Sequence, residues 1–87
     1  MADVRLPPTL PSLYADLPRR LEIDAATVDE VIDHLDGRWP GLRDRLCEPG
    51  PVLRTHINVY VDRERAGLDT ALGPGSRVDV IAAISGG

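Results

Sequence analysis

Two residues without side chains, Gly86-Gly87, close the chain directly after the strand-forming run Val78-Asp79-Val80-Ile81-Ala82-Ala83-Ile84-Ser85. A thread this thin can enter a narrow channel in another protein and present its carboxylate to chemistry there. The same residues also read as a frayed tail without function, the usual fate of terminal residues. What separates the two readings is whether the rest of the chain forms a scaffold that holds such a thread out.

No other residues assemble a reactive constellation. The single cysteine, Cys47, excludes an internal disulfide, cysteine-ligated iron-sulfur clusters and four-cysteine zinc sites. His34 and His56 lie far apart without ligand spacing, so both read as surface or boundary residues and no metal site is expected. Cys47 sits at the end of a short helical segment, where the helix dipole disfavours a thiolate, and reads as a packing residue. With no phosphate loop and no base beside a nucleophile, the chain is expected to be a cosubstrate of other enzymes, binding no cofactor itself.

Composition narrows the partners. The 87 residues carry a net charge of -4, with ten arginines spread along the chain and only Trp39, Tyr14 and Tyr60 as aromatics. That balance lacks the basic footprint and stacking platform of nucleic-acid binding. No apolar stretch approaches bilayer length, and Met1-Ala2-Asp3-Val4-Arg5 lacks the build of a signal peptide, so a cytoplasmic protein without membrane contact is expected. All ten cations are arginine and lysine is absent. An activated C-terminal acyl group would be captured by a nearby amine but not by guanidinium, so loss of lysine would protect such a tail. A genome rich in G and C explains the same bias, since Phe and Gln are missing too while Ala, Gly, Pro and Arg abound.

The elements that must position the tail are legible as periodicities. Asp3-Val4-Arg5-Leu6 alternates as a short strand stopped by Pro7-Pro8. After a proline-rich loop, the segment from Leu17 to Ile23 fits a second strand, pairing with the first as an irregular hairpin. Thr27-Val28-Asp29-Glu30 is a capping box, with Thr27 accepting from the Glu30 amide and Glu30 reaching back to the Thr27 amide. Val28, Val31, Ile32 and Leu35 then fall on one helical face, and Gly37 supplies a left-handed stop.

Leu42 to Cys47 forms a further helical turn, and Ile57, Val59 and Val61 alternate with His56, Asn58 and Tyr60 as a half-buried strand. Gly73-Pro74-Gly75-Ser76 has the residues of a type II turn, from which the last strand, Arg77 to Ile84, begins. In that strand Val78 and Val80 keep the core period while Ile81 falls on the other face. With Ala82, Ala83 and Ile84 beside it, Ile81 forms an apolar docking patch if that sheet face is open, and a second buried face if the strand is covered on both sides. A single main helix covers only one face.

Strand, strand, helix, strand, short strand or turn, strand is the order of an α+β roll of the ubiquitin-like kind. The chain resembles the MoaD/ThiS family of ubiquitin-like sulfur carriers through Ala26-Thr27-Val28, Arg38-Trp39-Pro40-Gly41-Leu42, Ile57-Asn58-Val59-Tyr60-Val61, Leu72-Gly73-Pro74-Gly75-Ser76-Arg77-Val78 and the closing Gly86-Gly87. It departs at Gly75-Ser76, where Gly-Asp is common, and at Asp62-Arg63-Glu64-Arg65, where the family's hairpin usually carries Asn-Gly.

The resemblance implies a single β-grasp domain over residues 1–87, a mixed four- to five-stranded sheet with one main helix on one face, and a flexible tail at 85–87. It further implies that a ubiquitin-activating-type enzyme using ATP and Mg adenylates Gly87, that a sulfur donor displaces AMP, and that the thiocarboxylate passes to a sulfur-accepting synthase. Gly86 and Gly87 are then the reactive end, and Ile81, Ala82, Ile84 and Ser85 the partner-binding residues. The look is closest to carriers serving a cysteine synthase. The small subunit of molybdopterin synthase, carriers for sulfur-containing metabolites, and a protein modifier joined to lysines of other proteins stay open beside it.

Overall fold

In a computed structural model, described for residues 1–82, the chain forms a five-stranded mixed sheet with two helices and a small second ribbon. The main sheet contains β1 (Ala2–Arg5), β2 (Arg20–Ile23), β5 (Ile57–Val61), β6 (Glu64–Ala66) and β7 (Arg77–Ala82). The helices are α1 (Val28–Arg38) and α2 (Leu42–Leu46), and β3 (Cys47–Glu48) pairs with β4 (Val52–Leu53). Strand order across the sheet is β2-β1-β7-β5-β6, so the last strand is the central one.

Period-two alternation decides which residues face α1. Val4 stands opposite Val78, and Val59 and Val61 stand opposite Val80 and Val78, so these valines share one face. They join Val28, Val31, Ile32 and Leu35 of α1 in a single buried cluster that also takes in Leu6, Leu10 and Leu17 from the proline-rich loop. The β2 strand begins only after Pro18, because a proline cannot donate to the ladder, and it pairs with β1 as the expected hairpin.

The helix start is tied down from two directions. Thr27 Oγ1 accepts from the Glu30 amide at 3.2 Å, while the Glu30 carboxylate reaches the Ala26 amide at 3.1 Å, one residue earlier than the capping-box pattern predicts. The segment 67–72 supplies the remaining partners, with the amides of Val28 and Asp29 donating to the carbonyls of Thr70 and Leu68.

The predicted stop at Gly37 is corrected by the structure. The helix continues through Gly37 to Arg38, and the Trp39 amide still donates to the Leu35 carbonyl at 2.8 Å. Trp39 is buried and its Nε1 donates to Asp16 Oδ1 at 2.9 Å, which holds the last turn in helical form until Pro40. The left-handed residue is Gly41, at φ 93°, where the chain turns into α2. Asp36 Oδ1 accepts from the amides of Gly41 and Arg43 there, and Arg43 Nη2 donates to Asp33 Oδ1 at 2.7 Å, clamping α2 against α1.

Both turns flanking β7 resolve the departures from the family pattern. Gly75 has φ 74° and the Ser76 amide donates to the Gly73 carbonyl, as a type II turn requires. The β5–β6 hairpin turns through Asp62 and Arg63 at φ 50° and 73°, the pair of left-handed residues of a type I′ turn without a glycine. Asp62 offsets that cost by bonding the strand beside it: its amide donates to the Arg77 carbonyl and its Oδ1 accepts from the Arg77 amide, at 2.8 and 2.9 Å.

The sheet face away from α1 is open and charged. Arg20 holds Asp3 through two hydrogen bonds of 3.0 and 3.1 Å, Arg5 adds a third at 3.2 Å, and Arg77 pairs with Asp79 at 2.8 Å. The Arg20 hydrogen bond is the main cause that holds the Asp3 carboxyl below its ordinary value of 3.8, against partial desolvation. A carboxyl depressed by folding contributes stability that is complete above its unfolded value and lost as pH falls through the folded one. We therefore expect the stability difference between wild type and Asp3→Asn, read from urea midpoints, to shrink as pH drops below 3.8. A difference independent of pH through that range would show that the Asp3 charge adds nothing.

Candidate functional site

The site is the end of β7 and the pole of the molecule from which the chain continues past Ala82. β7 pairs with β1 through Asp79 and with β5 through Ala82, so it is anchored between two strands at its start and carried by the β5 ladder over Val80, Ile81 and Ala82. Antiparallel pairing places Ala82 opposite Ile57, and Ile81 opposite Asn58. The expected reactive and docking residues Ile84, Ser85, Gly86 and Gly87 lie outside the described residues.

Ile81 is 47% exposed on the open face, which settles that this face is not covered by a second layer within the described residues. Ala82 does not share that face. It is half-buried and packs against the core side of the sheet, because successive strand residues point to opposite faces. Ile81 and Ala82 nevertheless both line a groove with Asp79, Arg5 and Arg19.

On the core side, Ala82 lines an open groove of about 670 Å³ with Leu10, Leu13, Tyr14, Arg45, Arg54 and His56. Leu13 is 52% exposed at its rim, an apolar side chain next to three basic ones. Arg54 is engaged, donating from Nε to the Asp44 carbonyl at 2.7 Å, whereas Arg45 is exposed and has no ion-pair partner among the described residues. A second groove of about 680 Å³, lined by Val52, Leu53 and Leu68, lies by the start of α1 and shares no residue with the tail pole.

Residues read from the sequence as unremarkable are thus brought to the root of the tail. His56 immediately precedes Ile57, the residue paired with Ala82, so the β5–β7 register alone puts the imidazole at this pole. Recognising that β5 and β7 are antiparallel neighbours would have located it. Arg45 and Leu13 carry no such signal, since a helix and a loop bring them there.

The remaining reactive groups stay apart. Cys47 is 5% exposed, and burial is the main cause pushing its thiol above its ordinary pKa, with Arg43 opposing. A protonated, enclosed thiol is a packing group. His34 is exposed on α1, and among the described residues no three His, Cys, Asp or Glu side chains gather as a metal site. None of the described helices is long and apolar enough to cross a membrane.

Comparison with known proteins identifies the architecture. The ThiS family model matches residues 13–87. The chain belongs to the ThiS family. Among ThiS-like relatives, it is 33% identical to the sulfur carrier protein CysO of Mycobacterium tuberculosis over 67 residues, covering 70% of this chain and 72% of that protein. It is 34% identical to small archaeal modifier protein 1 of Haloferax volcanii over 83 residues, covering 86% of this chain and 95% of the relative. The crystal structure of the Amycolatopsis orientalis BexX/CysO complex contains a chain with the same β-grasp fold, at TM-score 0.87 and 30% identity with full coverage of both chains. The expected ubiquitin-like roll and ThiS kinship are both borne out, and the relatives are small proteins named as a sulfur carrier and as a modifier.

Proposed function

We propose that this ThiS-family protein is a sulfur carrier whose working group is the Gly87 carboxyl carbon. The observation that carries the reading is the placement of the last strand: β7 is central, is paired with β1 through Asp79 and with β5 through Ala82, and is followed in the chain by the segment that ends Gly86-Gly87. Kinship with proteins named as sulfur carriers supports it.

The chemistry follows from the electrophile. A free carboxylate is ionised at neutral pH and resists nucleophiles, so it needs a leaving group. A ubiquitin-activating-type enzyme, using ATP and Mg, joins the Gly87 carboxylate to AMP with release of pyrophosphate. A sulfur donor attacks the acyl carbon, AMP leaves, and the thiocarboxylate becomes a soft nucleophile for a synthase that forms cysteine, molybdopterin or a sulfur-containing metabolite. The chain itself binds no cofactor in this scheme, and it acts in the cytoplasm as a cosubstrate. Ile81, Ala82, Ile84 and Ser85 are the residues assigned to partner contact, with Ile81 meeting the partner on the open face and Ala82 at the groove.

A second reading rests on the 34% identity to a small archaeal modifier protein across 86% of the chain. There the activated Gly87 is captured by a lysine of another protein. Intact-mass spectrometry of the protein from its host separates the two. We expect a mass gain equal to sulfur replacing one oxygen; conjugates whose tryptic peptides carry residues 78–87 joined through Gly87 to lysines of other proteins, with no thiocarboxylate, would overturn the carrier in favour of the modifier.

A further inference from the structure

We infer that the lack of lysine and the parallel placement of β1 together keep every amine away from the tail pole, so that an activated Gly87 is not captured by its own chain. This inference rests on the reading that Gly87 is activated. It concerns what happens to the acyl group between activation and sulfur transfer. Five basic side chains surround the root of the tail: Arg45, Arg54 and His56 in the groove with Ala82, and Arg5 and Arg19 beside Ile81. This is where a lysine would do most harm; lysine is absent from the whole chain, and every basic side chain at this pole except the imidazole carries a guanidinium.

The chemistry gives the reason. An amine attacking the activated carbonyl forms an amide bond, expels AMP, and gives up a proton; the product is a closed loop, one water lighter than the free acid, and no longer able to accept sulfur. A guanidinium stays protonated and does not attack. Attack by His56 would give an acyl imidazole, still an activated acyl group that passes on to sulfide or water. The Cys47 thiol is enclosed behind α2 and does not line the groove.

Topology removes the remaining amine. β1 runs parallel to β7, and the Met1 carbonyl accepts from the Gly75 amide, so Met1 lies level with the start of β7. The strand path from Gly75 to Ala82 spans about 23 Å at the usual rise per residue. Residues 83–87 reach about 17 Å when fully extended. The N-terminal amine therefore lies several ångström beyond the tail even if the tail doubled straight back. An antiparallel first strand would have put that amine at the tail pole.

A Gly87 thioester of the full chain, made by intein cleavage with a small thiol, tests this without any activating enzyme. In mildly alkaline buffer the wild-type thioester is expected to yield only the free acid. Arg45→Lys places an amine in the groove and is expected to give the cyclised product about a hundredfold faster than linkage between separate molecules, the advantage of a short tether at micromolar protein. Arg63→Lys, on the β5–β6 turn at the opposite pole, is expected to behave as wild type. Cyclisation of the wild type, equal cyclisation of Arg45→Lys and Arg63→Lys, or none in Arg45→Lys would each overturn the inference. Failure of adenylation is seen separately, as absent pyrophosphate exchange with the activating enzyme, and bears on the function proposed above rather than on the placement of amines.

Discussion

Gly86→Val is expected to lower adenylation and thiolation of Gly87 about a hundredfold, while leaving the far-ultraviolet spectrum and the unfolding midpoint unchanged. Glycine carries no side chain, so the substitution deletes none, and position 86 lies outside the described residues. What changes is the thread. A glycine pair can lie flat in a channel, whereas a β-branched side chain adds two methyl groups at a fixed χ1 and widens the segment next to the reacting carbon. Misplacing that carbon by about 1 Å is enough for a hundredfold loss, equivalent to about 2.7 kcal/mol in the barrier. Pyrophosphate exchange and intact mass after incubation with sulfur donor measure the two steps. Adenylation and thiolation at the wild-type rate would sink the assignment of the tail as the working part.

The second large effect is structural. Leu35 is fully buried, and on α1 it sits in the cluster that joins the helix to the valines of β1, β5 and β7. Leu35→Ala removes three carbons from a close-packed site, and the cost combines lost burial with the cavity left behind, about 2–5 kcal/mol. For a protein whose total stability is of the order of 5–15 kcal/mol, that is a large share. At this size each kcal/mol moves the melting temperature by about 4–8 °C, so a fall of at least about 8 °C is expected in a thermal scan. A shift below about 2 °C would mean that the helix does not pack on the sheet as described.

The two predictions act on different links of one design. Leu35 secures the helix that covers one sheet face, and the covered sheet fixes β7 between two neighbours. The chain continues from β7 to Gly86-Gly87. Loss of Leu35 is expected to reduce thiolation only through the fraction of protein unfolded, whereas loss of Gly86 acts on folded protein. Activity normalised to folded protein distinguishes them.

Much of this was legible in the residues. The strand alternation of Ile57, Val59 and Val61, the helical face of Val28, Val31, Ile32 and Leu35, the Thr27 cap and the Gly75 turn are all found where their patterns place them. These depend on short-range rules, in which one residue's neighbours within a few positions decide its burial or its dihedrals. Gly37 failed as a stop because a long-range contact, the burial of Trp39 with its bond to Asp16, outweighs a local preference. The Glu30 carboxylate likewise bonds Ala26 rather than Thr27 where the segment 67–72 supplies the neighbouring partners.

By itself, then, the sequence determined the alternation that makes a core, the helix and its start, the turn that launches the last strand, and the Gly-Gly end, because each is written within a dozen contiguous residues. Only the tertiary structure decided what surrounds that end. Parallel pairing of β1 with β7 joins opposite ends of the chain, leaves Ile81 on an open charged face, and sends the N-terminus to the far pole. The register of β5 against β7, with the α2 helix behind, collects Arg45, Arg54 and His56 at the root of the tail. No local pattern encodes those neighbours; they meet because the strands that carry them bury the same core.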